Sequence, residues 1–127
     1  IFMHILEAFG RIFISSLFIF EAFKKFSLKE ETIFYMTDYG VPEILFYPSL
    51  LFEMIFPILL IIGYKTKISA FAMFIFTIVV TVIFHSDLGD QMQQMAFLKN
   101  LAIAGGFLII STNEPKVCTL DYYLKNK

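Results

Sequence analysis

Four apolar stretches, each about as long as a lipid bilayer is thick, constrain this chain more than any other feature. A helix rises 1.5 Å per residue, so about 20 residues traverse a hydrocarbon core of about 30 Å. Residues 5–23, 43–62, 68–84 and 92–110 have that character. The breaks between the last three, Gly63-Tyr64-Lys65-Thr66-Lys67 and Ser86-Asp87-Leu88-Gly89-Asp90, are short polar turns. Consecutive spans joined so tightly must run antiparallel, and the predicted fold class is all-α, a transmembrane four-helix bundle. With 58% of its 127 residues hydrophobic, against roughly 45–50% in a soluble domain, the chain suits lipid. One such bundle uses nearly the whole length, so residues 1–127 read as a single membrane domain with a polar tail over 112–127.

Between the first two spans, Ser27 precedes Glu30 by three residues, the spacing of a capping box at a helix start. A short helix is expected from there to about Tyr39, ended by Gly40 and Pro42. Its Phe34, Tyr35 and Tyr39 suit the membrane–water interface, so it is read as an interfacial helix. Charges inside the first apolar stretch, Glu7, Arg11 and Glu21 among them, do not fit a cleaved signal peptide.

Lys and Arg counts set orientation. Lys65, Lys67, Lys116, Lys125 and Lys127 lie on the side of both termini, and Lys24, Lys25 and Lys29 on the other. That bias places both termini in the cytoplasm. Ten basic and eleven acidic residues leave no basic face for nucleic acid. The single cysteine, Cys118, can form neither an internal disulfide nor a Cys-rich metal site.

The chemistry lies in the polar groups at membrane depth, which cost several kcal/mol each and usually face a partner or a wet cavity. Glu21, Glu53, His85, Lys99 and Asn100 come from four different spans, yet all fall between mid-depth and the side opposite the termini. Glu53 lies deepest and needs a partner. Lys99 is the expected one, either to hold helices together or as part of a proton-handling site, with Ser49 one turn away able to bond the same carboxyl group. Pro57 removes the N–H that the Glu53 carbonyl would accept. Thr77, Thr81 and His85 recur every four residues and form one polar stripe. The threonines read as helix packing, while His85 beside Glu53 and Lys99 suits proton transfer near neutral pH. Towards the other side, Glu7 and Arg11 form an i,i+4 pair with Ser15 on the same face.

His4 and His85 fall at opposite surfaces, about 30 Å apart, so this chain should not hold a bis-His haem alone. Phosphate-loop, CxxC, HExxH and GxSxG motifs are also missing from the sequence. No metal site is therefore expected, and no cofactor held by this chain alone.

In order and spacing these features resemble the DoxX family of small four-helix bacterial membrane proteins, over almost the whole chain. The matching residues are Arg11, Lys24 or Lys25, Gly40-Val41-Pro42, Glu53, Gly63 and Lys65-Thr66-Lys67. They continue with Phe84-His85, Phe97-Leu98-Lys99-Asn100-Leu101, Gly105-Gly106 and Thr119-Leu120-Asp121. Glu21-Ala22-Phe23 departs from the family pattern of a small residue and glycine. The resemblance implies a bacterial inner-membrane protein, with relatives that include a subunit of thiosulfate:quinone oxidoreductase. The expectation is a membrane subunit of a larger respiratory or redox complex, in contact with lipid and other membrane subunits, with a quinone site at its border. Two alternatives stay open. Glu53, His85 and Lys99 could catalyse quinone reduction directly with an electron donor from a partner, or the polar half could be the pathway of a small-solute transporter, for which a homo-oligomer would supply the second half.

Overall fold

A computed structural model describes residues 2–114 and 119–125; Cys118, Lys116 and Lys127 lie outside them. All the regular structure among these residues is helical. Helix α1 spans Phe2–Ser27, α2 Lys29–Asp38, α3 Phe46–Ile62, α4 Thr66–Phe84, α5 Gln91–Thr112 and α6 Leu120–Lys125, with a 3-10 turn at Glu43–Leu45 leading into α3. Four segments are long and apolar enough to cross a membrane: α1, the 3-10 turn with α3, α4, and α5.

The first span outruns its expected bounds, and the capping box does not form. The Leu28 N–H still bonds the Lys24 carbonyl at 3.0 Å, and Thr32 bonds Leu28 at 2.9 Å. Ser27 is still the last residue of α1, and the N-cap of α2 falls one residue later at Leu28, so Ser27 and Glu30 are out of register for a capping box. Leu28 stands at the N-cap position of α2 with no side-chain cap. Gly40, at φ +82°, closes this segment in the left-handed region that glycine adopts freely. Tyr35 and Tyr39 bracket Phe84 at the end of α4, with ring centroids 5.3 and 5.2 Å away, which ties α2 across the end of the bundle.

Helix α1 packs mainly on α3 and α5 on α4, with a smaller α3–α4 contact joining the two pairs. The ring closes where α1 meets α5: Phe18 and Phe107 lie 5.4 Å apart, and a Cβ on Gly106 would stand 2.9 Å from the Ile14 side chain. Phe18, Leu60, Ala70, Met73 and Phe107 form the central core. Ala22, Met36, Phe46 and Leu50 form a second cluster towards α2. The hydroxyls of Thr77 and Thr81 bond the carbonyls one turn back, at 2.7 and 2.6 Å. With their donors satisfied inside α4, both threonines bury against neighbouring helices.

The α3–α4 turn is finished by a distant part of the chain. Gly63, at φ +77°, ends α3, and both its own N–H and that of Tyr64 reach the Leu59 carbonyl. Lys65 then stands at the N-cap of α4 without a local side-chain cap. The cap comes from the tail: the Asp121 carboxylate accepts from the N–H groups of Lys65 at 2.6 Å and Thr66 at 2.7 Å. Asp121 N–H donates back to the Gly63 carbonyl at 2.9 Å.

Candidate functional site

One face of α1 carries the charged chemistry. Arg11, Ser15, Phe18 and Ala22 are its buried residues, and the alternating steps of four and three continue that stripe to Lys25. Ala22, fully buried, lets α1 approach its neighbours closely just where the stripe turns polar. There the Lys25 ammonium donates to Glu53 Oε2 at 2.7 Å. Glu53 retains 4% of its side-chain exposure and Lys25 30%, so the acid is enclosed while the amine remains open on one side. Glu21, one turn before Lys25, is half-buried and near enough to Glu53 for the two carboxylates to repel. A second carboxylate thus stands near the ion pair at membrane depth.

Lys25 corrects the expected pairing of Glu53 with Lys99. Successive helical residues diverge by about 100°, so Lys99 and Asn100 cannot both face inward. Asn100 lies on the side of α5 that buries Ala104 and Phe107 and is half-buried, whereas Lys99 is exposed. Neither makes a side-chain hydrogen bond to a described residue, so the expected internal network through them does not form. Ser49 does not reach Glu53 either; its hydroxyl bonds the Phe46 carbonyl at 3.0 Å. His85 ends α4, half-buried, and its ring bonds no described residue. An acid and an amine are therefore brought together, without the imidazole and amide that depth alone had grouped with them. The periodicity of α1 is the signal that singles out Lys25 from Lys24, which orientation and the family resemblance leave equivalent.

At the opposite end, Arg11 is fully buried. Its Nε donates to Glu7, the expected pair, and its Nη1 donates to the carbonyls of Leu60 at 2.6 Å and Ile61 at 3.2 Å. Those carbonyls belong to the last turn of α3, where the helix dipole favours a cation. The Ser15 hydroxyl above it is buried without a hydrogen-bond partner among the described residues. Among the described residues no group of three or more His, Cys, Asp or Glu is placed to hold a metal ion. An open apolar groove of about 670 Å³ runs along α1, lined by Leu17, Ile19, Phe20 and Phe23 with Ser16 and Ile61.

Comparison with known proteins gives two matches. A family model described as DoxX matches residues 6–86. The inner membrane protein YqjF of Escherichia coli strain K12 is 30% identical over 118 residues, which cover 93% of this chain and 91% of that protein. No solved structure matches.

Proposed function

Because the chain belongs to the DoxX family, we propose that it is a multi-pass subunit of a bacterial inner membrane, with both termini cytoplasmic, that anchors a larger respiratory or redox complex and borders its quinone site. The observation that carries this reading is the Lys25–Glu53 pair: an enclosed acid joined to an amine that is open on one side. A quinone supplies a two-electron, two-proton carrier whose carbonyl oxygens accept hydrogen bonds. Lys25 can turn one N–H to such an oxygen while keeping another on Glu53, because an ammonium has three donors. Glu53 can take or release the accompanying proton. Electrons would come from a partner subunit.

Mild-detergent extraction of the native complex, followed by quinone-linked turnover, tests the proposal. A stoichiometric membrane partner should co-purify, and Glu53→Gln should keep that partner while turnover falls at least tenfold, within the range of a general acid–base contribution. A chain that leaves native membranes alone and monodisperse removes the complex from the reading. Undiminished turnover in Glu53→Gln removes the quinone site.

A further inference from the structure

At the α2 end a groove of about 420 Å³ opens between the first turn of α2 and the start of α3. It falls within the roughly 300–1,000 Å³ range of small-molecule sites. Lys29, Ile33, Glu43, Ile44, Phe46 and Tyr47 line it. Charge and apolar surface are segregated: Lys29 and Glu43 are exposed, and Ile33 and the buried Phe46 make the floor. The Lys29 ammonium stands 4.8 Å from the centre of the Tyr47 ring, which steers it over the groove. The Tyr47 hydroxyl and the Glu43 charge both favour its protonated form. Lys29 and Glu43 form no direct ion pair, so each keeps its charge for a third party. Beside the groove Ile44 is 79% exposed and, on α2, Phe34 is 75% exposed, as befits a corner immersed at the bilayer surface.

We infer that this groove binds one phospholipid with a zwitterionic, primary-amine headgroup. Its phosphate meets Lys29, its ammonium meets Glu43, and an acyl chain leaves along Ile33 and Ile44. The apolar floor favours a lipid over free phosphate, and Glu43 selects against an anionic headgroup that Lys29 alone would accept. The inference stands apart from the proposed quinone site, since none of its residues belongs to that site.

Native mass spectrometry of the full chain, delipidated and then offered equimolar phosphatidylethanolamine and phosphatidylglycerol, tests it. One ethanolamine lipid should be retained in preference. Lys29→Gln and Lys29→Ala should each lower the retained fraction about fivefold, the effect of one lysine at a lipid phosphate. Glu43→Gln should erase the preference between headgroups while keeping the helical circular dichroism of the parent. Equal retention of both lipids by the unaltered chain overturns the inference. So does retention unchanged in all three variants, or full displacement of the lipid by millimolar inorganic phosphate.

Discussion

Removing the two members of the Lys25–Glu53 pair one at a time should give unequal losses, because their surroundings differ. Lys25→Met leaves Glu53, with 4% of its side chain exposed, inside the bundle beside Glu21 and without a counter-charge. An uncompensated buried charge of this kind costs about 3–5 kcal/mol, the loss typical of a broken buried pair. In Glu53→Gln the stranded group is Lys25, already 30% exposed and two residues from the end of α1, so its stem can carry the amine to the interface. That variant should lose only about 1 kcal/mol. Denaturant unfolding of detergent-solubilised protein at pH 7, followed by circular dichroism, measures each loss. A loss below about 1 kcal/mol in Lys25→Met, or one no larger than that of Glu53→Gln, refutes the reasoning. Lys99→Met is the internal control and should change stability by less than about 0.5 kcal/mol, since Lys99 is exposed.

Other perturbations probe the opposite end and the α2 segment. Arg11→Met strands Glu7 and the Leu60 and Ile61 carbonyls, and unfolding should show a loss of about 3 kcal/mol or more. Asp121→Ala removes the carboxylate cap of α4 and should cost about 1 kcal/mol, with faster amide exchange at Lys65 and Thr66. Gly63→Ala should cost more than Asp121→Ala, because its Cβ would lie 2.6 Å from Thr119 Cβ at φ +77°; limited proteolysis should then cut the tail. Burial, followed by the hydrogen bond with Tyr39, pushes the Tyr35 phenol up to about 12. Its stabilising contribution is complete below the unfolded value of about 10 and disappears as pH rises towards 12. Tyr35→Phe should accordingly flatten the alkaline fall in unfolding midpoint.

The spans and polar turns were legible in the sequence because lipid imposes length and apolarity on each helix separately. So was the Glu7–Arg11 pair, whose partners stand one turn apart on a single helix. Contacts between helices were harder, because equal depth does not give equal facing. Lys99 shares the level of the buried pair and still points outward, while Lys25 reaches inward along a face that begins at Arg11. The anchoring of Arg11 on the Leu60 and Ile61 carbonyls left no trace in residue types, since any residue carries a carbonyl. Ser27 and Glu30 have the letters of a capping box, but α1 runs on through Ser27 and α2 starts one residue later, with Leu28 at its N-cap. Asp121 was visible only as part of a family-like string; its role depends on a turn 55 residues earlier in the chain.

That last arrangement bears on the order of assembly. Helix α4 is synthesised and inserted before the carboxylate that seals its first turn has left the ribosome, so its opening N–H groups stay wet until translation has passed α5. Truncation upstream of Asp121 should therefore yield a chain that enters the membrane with its spans intact yet frays at the start of α4, a defect that the surveillance proteases of the membrane are suited to detect.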